Sequence, residues 1–191
     1  YALEGVVNYS GAVVTWLKDN AGLVMSPAET GALAEQANPA DKTYMVPAFT
    51  GIGAPHWKSE ATAAYVGMTR LTGRAELVRA ALESVAYQIG DLVYPSLEAI
   101  GVPARELRVA GGPSRNRYLM QFQSDILGCP VVIPRNEELS GIGAGYMAGI
   151  ALGMYEYETL IARQETTVFA PTMEEGERQQ RLAGWKHALD V

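Results

Sequence analysis

The sequence predicts an α/β domain in which helices pack on a sheet. Short runs rich in β-branched and aromatic residues alternate with stretches of helical periodicity, as expected when strands and helices follow one another along a chain. The 191 residues suit one ordinary domain, because a chain of that length buries most of the apolar surface that it exposes when unfolded. No repeat, low-complexity tract or linker interrupts it, so we expect residues 1–191 to form a single domain.

The amino-terminal part of the chain predicts a strand, a capped helix and a polar connection. Residues 1–8 (YALEGVVN) have the composition of a strand. Ser10 is a suitable N-cap for a helix that runs to about Asn20. The residues expected on the inner face of this helix are Ala12, Val13 and Trp16. The polar stretch 26–42 then predicts a short helix within a surface connection.

The middle of the chain predicts two strands and one long helix. Residues 43–49 and 63–68 are strand candidates, separated by the Gly/Pro-rich loop 50–57. The clearest helical pattern begins near Gly73, since apolar residues then recur every three or four positions. These residues are Val78, Leu82, Val85, Ile89 and Leu92. Pro95 should kink or end this helix.

A strand–turn–helix–strand series follows. Residues 107–110 predict a short strand, and the apolar residues between 119 and 126 predict one face of a helix. Gly128 followed by Pro130 predicts the end of that helix. The next strand is expected at 131–134.

The run from Ser140 to Tyr155 predicts a buried helix capped by Ser140. Its glycines fall on one helical face, at positions 141, 145, 149 and 153. Glycine costs a helix up to ~1 kcal/mol relative to alanine, so close packing against another backbone is the preferred explanation of the stripe, with ligand contact as the alternative. Residues 174–189 are charged and amphipathic and predict a closing surface helix.

Composition and charge exclude several classes of partner. The formal net charge of −6 argues against a nucleic-acid binder, which needs a basic face. The longest uncharged run, residues 139–155, is shorter than the ~20 residues of a membrane-spanning helix. Cys129 is the single cysteine and lies in an apolar stretch, so we expect a buried thiol and a cytoplasmic protein. The chain starts without a signal peptide or methionine, so we expect a fragment.

The paired glycines Gly111 and Gly112 end a predicted strand and lead at once into a helix. Such a turn lets a flat or anionic ligand approach the backbone and offers the free amides of a helix start. Neither the GxGxxG pattern nor a GK[ST] sequence accompanies it, so a nucleotide site and a plain tight turn, with Asn116 in the first helical turn, fit about equally well. Residues at the earlier helix start could hold phosphate or ribose, although capping alone explains the first of them: Ser10, Gly11 and Thr15.

His56 and Trp57 lie in the Gly/Pro-rich loop, where binding residues often occur. The other histidine, His187, lies near the far end of the chain, and no cysteine cluster is present, so we expect no metal site. Nothing near His56 in the sequence would orient its ring, so we do not favour a role for His56 as a general base.

Six stretches, in order along the whole chain, resemble the FGGY family of carbohydrate kinases and, within it, the glycerol kinases. They are residues 1–5 (YALEG), 46–51 (VPAFTG), 53–55 (GAP), 79–84 (RAALES), 119–128 (LMQFQSDILG) and 183–186 (AGWK). Gly67 and Met68, followed after seven residues by Glu76 and then by residues 80–83, also fit the second signature of that family.

The resemblance implies the ribonuclease-H-like fold of actin, hexokinase and the Hsp70 chaperones, in which two domains close on ATP. This chain would be the second domain of a two-domain kinase. The resemblance also implies that adenosine or its phosphates are contacted by Gly11, Thr15, Gly112 and Asn116. The implied reaction is Mg²⁺-assisted transfer of the γ-phosphoryl group of ATP to a small polyol, most simply glycerol. The catalytic base and most Mg²⁺ ligands would lie upstream, so no catalytic residue is expected within residues 1–191, and the chain alone should be inactive.

Departures from the family pattern keep other substrates open. Thr15 stands where glycerol kinases often carry a longer amide, residues 56–58 (HWK) replace an aromatic–Trp–Asp sequence, and Ala110 replaces an aspartate. A pentulose or another small polyol is the alternative substrate, and the alternatives to a kinase are an actin-like nucleotide-binding domain and an interaction module. We expect a homo-oligomer with neither nucleic-acid nor membrane partners.

Overall fold

The computed structural model describes residues 2–135, 139–162 and 165–191. The helices are α1 (Gly11–Asp19), α2 (Thr30–Gln36), α3 (Arg74–Ile100), α4 (Arg117–Leu127), α5 (Leu139–Ala151), α6 (Tyr157–Ala162) and α7 (Glu175–Asp190). The strands are β1 (Tyr44–Val46), β2 (Ala64–Val66), β3 (Leu107–Arg108), β4 (Val131–Pro134) and β5 (Thr166–Phe169). The predicted α/β class is therefore confirmed. The strands β1 to β4 and the helices α1 to α5 and α7 all lie at predicted places, whereas α6 and β5 were not predicted.

The strands form two small sheets. In one, β1 and β2 are antiparallel, with Met45 opposite Tyr65. In the other, β3 is parallel to β4, and β4 is antiparallel to β5. Because β3 ends at Arg108, the chain leaves the edge of this second sheet just before Gly111 and Gly112.

The long helix α3 contributes buried side chains to two apolar cores, Val78 to one and Val85 to the other. Its start is closed by Glu76, whose Oε2 accepts the backbone N–H of Gly73 at 2.9 Å. Pro95 does not end the helix, which continues to Ile100 and stops at the left-handed Gly101. The missing proline N–H removes a single backbone hydrogen bond on an exposed turn, and the earlier turns of α3 are buried, so the helix persists.

Two buried charged residues on α3 connect it to three other elements. Arg79 donates to backbone carbonyls of the connection 38–41 at 2.7 and 2.8 Å. Glu83 accepts a hydrogen bond of 2.7 Å from the Tyr118 hydroxyl, and Arg181 lies 3.4 Å away. Burial raises the pKa of Glu83, and the Arg181 charge and the Tyr118 hydrogen bond oppose that rise. Arg79 and Glu83, which lie in the family-like stretch 79–84, therefore have structural roles in this chain.

The predicted strand at the amino terminus is absent from residues 2–8, and Tyr1 lies outside the described residues. A strand needs a neighbour to pair its backbone groups, and no described strand forms a ladder of hydrogen bonds with this segment. Gly5 instead lies against α3, where a Cβ at that position would be 3.2 Å from a methyl carbon of Leu92.

The first helix starts where it was predicted, and its buried face agrees with the prediction in part. α1 follows Ser10 directly, although the Ser10 side chain makes no capping hydrogen bond. Val13 and Leu17 are completely buried, whereas Ala12 is exposed, so that part of the predicted inner face is wrong. Trp16 is half-buried and packs on Phe49, with the ring centroids 5.1 Å apart.

The uncharged helix α5 is largely exposed, contrary to the prediction that it is buried. Ser140 lies inside the helix rather than at its cap, and the helix ends at Ala151, before Tyr155. Met147 is 67% exposed, because no described element forms a second apolar layer over this side of α5.

The glycine stripe of α5 packs closely at one position. A Cβ on Gly149 would overlap the ring of Tyr155, whereas Gly141 and Gly145 face open space. Gly153 lies beyond the end of the helix with a φ of +68°. The prediction that the whole stripe packs against another backbone is therefore wrong within the described residues.

The family-like residues of α4 fix the neighbouring strands. Ser124 Oγ is within 2.9 Å of the carbonyl oxygens of both Cys129 and Phe169. Asp125 Oδ1 accepts the backbone N–H groups of residues 172 and 173 at 2.6 and 3.1 Å. α4 ends at Gly128, as predicted, with a φ of +64°. Cys129 is buried, also as predicted, and burial raises the pKa of its thiol.

Candidate functional site

The start of α1 and the turn that follows β3 lie against each other. A Cβ on Gly11 would be 3.7 Å from Cγ of Pro113. The backbone amides of Gly11 and Ala12 donate hydrogen bonds to no described residue. Unpaired amides at a helix start, together with the helix dipole, favour a negatively charged ligand. Two predicted parts of the site, distant in sequence, therefore meet at this point.

The paired glycines have different roles in this turn. Gly111 has a φ of +95°, a conformation that residues with a side chain rarely adopt. Gly112 starts a short 3₁₀ turn, Gly112–Arg115, and a Cβ on it would meet no atom within 4 Å. The first glycine is thus needed for the backbone path, and the second leaves the backbone open to a ligand.

Asn116 is the N-cap of α4 rather than a residue of its first turn. Its Oδ1 accepts the backbone N–H of Leu119 at 3.0 Å, and its Nδ2 donates to Thr30 Oγ1 at 2.9 Å. Thr30 is completely buried and donates in turn to the carbonyl of Pro27 at 2.7 Å. The carboxamide therefore couples α4 to α2 and keeps one N–H for another partner.

Thr15 lies one turn beyond Gly11 on an exposed part of α1. Its hydroxyl lies 3.4 Å from the Gly11 carbonyl, to which it donates. The hydroxyl oxygen keeps its capacity to accept a hydrogen bond from a ligand.

These four residues line one open cavity of about 730 Å³. Its walls are α1, the turn and helix at residues 26–36, and the segment 112–119. A cavity of roughly 300–1,000 Å³ is typical of small-molecule and cofactor sites. The structure thus brings Gly11, Thr15, Gly112 and Asn116 to a common surface.

Charged residues of both signs line this cavity. Glu35 on α2 makes no hydrogen bond or ion pair with any other described residue, whereas Arg115 has a partner. The guanidinium carbon of Arg117 lies 5.3 Å from the centroid of the Phe169 ring, which holds it by a cation–π contact. The cavity can therefore offer cations to an anionic group and a carboxylate to a hydrogen-bond donor.

A separate polar cluster orients His56. Its Nε2 lies 2.9 Å from Asp91 Oδ2, and the indole Nε1–H of Trp185 donates to the same oxygen at 2.8 Å. Lys58, on the other side of Trp57, donates to the carbonyl of Leu189 at 2.7 Å. The expectation that nothing orients His56 holds along the sequence but is wrong in space.

Sequence patterns did not identify Thr30 or Asp91 as partners of the predicted residues. Thr30 and Asn116 are 86 positions apart, and His56 and Asp91 are 35 positions apart. No short motif encodes pairs at such separations. The helical periodicity that placed Asp91 on α3 was the only available signal for it.

Within the ranges that the structure describes, no group of three or more His, Cys, Asp and Glu side chains could hold a metal ion. A search of the same ranges finds no helix with the length and apolar character needed to span a membrane.

Comparison with known proteins shows that this chain is similar to glycerol kinases. The chain is 45% identical to glycerol kinases of Acinetobacter baylyi and Deinococcus radiodurans over 191 residues, 99% of this chain. It spans only 39% and 38% of their lengths, respectively. Glycerol kinase from Plasmodium falciparum superposes with a TM-score of 0.85 at 32% identity, over 94% of this chain and 36% of that one.

More distant structures share the fold. A xylulose kinase from Lactobacillus acidophilus has a TM-score of 0.79 at 21% identity, and the match covers 94% of this chain and 37% of that one. Residues 1–152 match the C-terminal domain of the FGGY family of carbohydrate kinases. On this evidence the chain belongs to the FGGY family of carbohydrate kinases.

Proposed function

We propose that the full-length protein transfers the γ-phosphoryl group of ATP to a small polyol, glycerol, and that this chain supplies the adenosine-binding half of the cleft. The observation that carries the proposal is the cavity that joins the start of α1 to the segment Gly112–Asn116. The glycerol kinases at 45% identity support glycerol as the acceptor. The structure of the P. falciparum enzyme was determined with ADP, which supports an adenine nucleotide as the ligand.

The residues of the cavity fit an adenine nucleotide. The open backbone at Gly112 permits close approach of the ribose and phosphates, and the unpaired amides at Gly11 are suited to a phosphate oxygen. Thr15 offers an acceptor for a ribose hydroxyl, and the remaining N–H of Asn116 can donate to the base or the sugar. In this proposal the chain binds and orients the nucleotide, and it carries out no proton transfer.

ATP supplies the phosphoryl group, and Mg²⁺ neutralises charge on its phosphates. We assign the Mg²⁺ ligands and the catalytic base to the rest of the protein, as the family resemblance implies. We further propose that residues 1–191 form one domain of a cytoplasmic homo-oligomer. The buried, unpaired Cys129 supports a reducing compartment, and light scattering on the full-length protein would measure its oligomeric state.

The deciding experiment is an assay of ADP release by the full-length protein with glycerol, xylulose, ribulose and erythritol. Turnover that depends on glycerol is the expected result. Turnover with another acceptor alone would keep the kinase assignment and replace the substrate, with the loop around His56 as the first region to compare. Absence of turnover with every acceptor, in a protein that binds no ATP, would overturn the proposal and favour an interaction module.

A further inference from the structure

Thr30, the first residue of α2, is completely buried and does not line the proposed nucleotide cavity. A hydrogen bond connects it to a residue that does, since Thr30 Oγ1 accepts the Nδ2–H of Asn116 at 2.9 Å. Because Thr30 has no surface of its own in the cavity, any effect that it has on a bound ligand passes through the Asn116 carboxamide.

The Thr30 hydroxyl can act only as an acceptor toward Asn116. A threonine hydroxyl has one hydrogen, and Thr30 donates it to the Pro27 carbonyl at 2.7 Å. The lone pairs of the hydroxyl therefore require an N–H group opposite them, because a carboxamide oxygen at that place would leave two acceptors in contact. The bond from the Leu119 N–H to Asn116 Oδ1, at 3.0 Å, requires the same orientation of the amide.

These two hydrogen bonds fix the plane of the Asn116 carboxamide. Both N–H bonds of an amide lie in that plane, so the bond to Thr30 also sets the direction of the second N–H. Gly31 permits this close approach of α2, since a Cβ at that position would lie 3.1 Å from Asn116 Oδ1. The second N–H is thus oriented before a ligand arrives, which reduces the entropy that binding would otherwise cost.

We propose that Thr30 is a positioning residue for the nucleotide, holding the Asn116 carboxamide so that its second N–H donates a hydrogen bond to bound ATP. This inference rests on the proposed function, because it assumes a nucleotide in this cavity. It applies equally if the N–H meets the base, the ribose or a phosphate, since each of them offers an acceptor. Without the Thr30 acceptor, the carboxamide keeps its bond to Leu119 but is free to pivot about it.

The test measures ADP binding by titration calorimetry and the kinetic constants for ATP, both with the full-length protein. Thr30→Val keeps the branched shape and removes the acceptor, so ADP binding should weaken at least about fivefold. The KM for ATP should rise by a similar factor, while kcat should fall less than about twofold, since Thr30 touches no reacting group. Thr30→Ser restores the hydroxyl and should bind ADP within about twofold of the unaltered protein.

Replacement of Asn116 tests the route by which Thr30 acts. Asn116→Ala should itself weaken ADP binding, and adding Thr30→Val to it should cause no further loss, because the two residues act as one unit. Thr43→Val is the matched control. Thr43 is also buried, and its Oγ1 lies 3.3 Å from Thr72 Oγ1, where neither residue lines the cavity. This control likewise removes a buried hydroxyl and should leave ADP binding unchanged.

The outcomes separate this inference from the proposed function. Unchanged ADP binding in Thr30→Val, an equal loss in Thr43→Val, or a further loss when Thr30→Val is added to Asn116→Ala would overturn the inference alone. An unaltered full-length protein that binds no ADP would overturn the proposed function and the inference with it.

Discussion

Asn116 Nδ2 donates a hydrogen bond of 2.9 Å to Thr30 Oγ1, so one carboxamide both caps α4 and holds α2 in place. Asn116→Ala removes both contacts and should lower the free energy of unfolding by about 1–2 kcal/mol. Urea denaturation of the full-length protein, followed by circular dichroism, measures this loss. Thr30→Val removes only the link to α2, and a double-mutant cycle should give a coupling energy of at least about 0.5 kcal/mol; strict additivity would show that the two helices are held independently.

Replacement by alanine should have different effects at Gly112 and at Gly111. Gly112→Ala adds a methyl group in open space at a residue outside the left-handed region, so stability should change by less than about 0.5 kcal/mol. The methyl group should nevertheless weaken ADP binding at least tenfold, because it faces the approach of the nucleotide. Gly111→Ala is the control, since its positive φ predicts a cost of about 1–3 kcal/mol. Normal ADP affinity in Gly112→Ala would place the nucleotide elsewhere.

Asp91 should matter more for stability than an exposed carboxylate of similar chemistry. It accepts hydrogen bonds from His56 and Trp185, and its side chain is only 22% exposed. Asp91→Asn should therefore cost about 1.5–3 kcal/mol. Asp190→Asn removes an exposed ion pair with Lys58 and should cost less than about 0.5 kcal/mol. Equal effects of the two substitutions, measured by thermal unfolding, would contradict this assignment.

Glu76 should contribute to stability at neutral pH and lose that contribution in acid. Hydrogen bonds from the backbone N–H groups of Asn38 and Gly73 hold its pKa below the ordinary value of 4.5, against the opposing effect of burial. The contribution is therefore complete above pH 4.5 and disappears as the pH falls through the lowered pKa. Glu76→Gln keeps one acceptor and should cost about 1 kcal/mol at pH 7. The urea midpoints of the two proteins should converge in acid, and a constant difference would exclude this linkage.

The purified 191-residue chain should not phosphorylate glycerol, since the proposal assigns the base and the Mg²⁺ ligands to residues outside it. A coupled ADP-release assay at high chain concentration tests this expectation, with the full-length protein as the positive control. Glycerol-dependent turnover by the chain alone would show that it carries a complete active site.

Much of this architecture was predictable because local signals agreed. The periodicity of α3, the Gly128 stop and the paired glycines before α4 each encode a structure that depends on nearby residues. Burial of α5 and pairing of residues 2–8 depend on what lies beside them, and the sequence of an element does not report its neighbours. Within the site, the backbone features at Gly111 and Gly112 were predictable, whereas the Thr30–Asn116 and His56–Asp91 contacts depend on tertiary packing.

The three tryptophans lie in three different environments, which gives the protein built-in optical reporters. Trp57 is 77% exposed, and Trp185 is buried and stacked on Tyr87 with the ring centroids 5.2 Å apart. Trp16 is half-buried on α1, the helix that carries Gly11 and Thr15. Iodide should quench the emission of Trp57 selectively, since a soluble quencher reaches only exposed indoles. The fluorescence of Trp16 can then follow nucleotide binding without any attached dye.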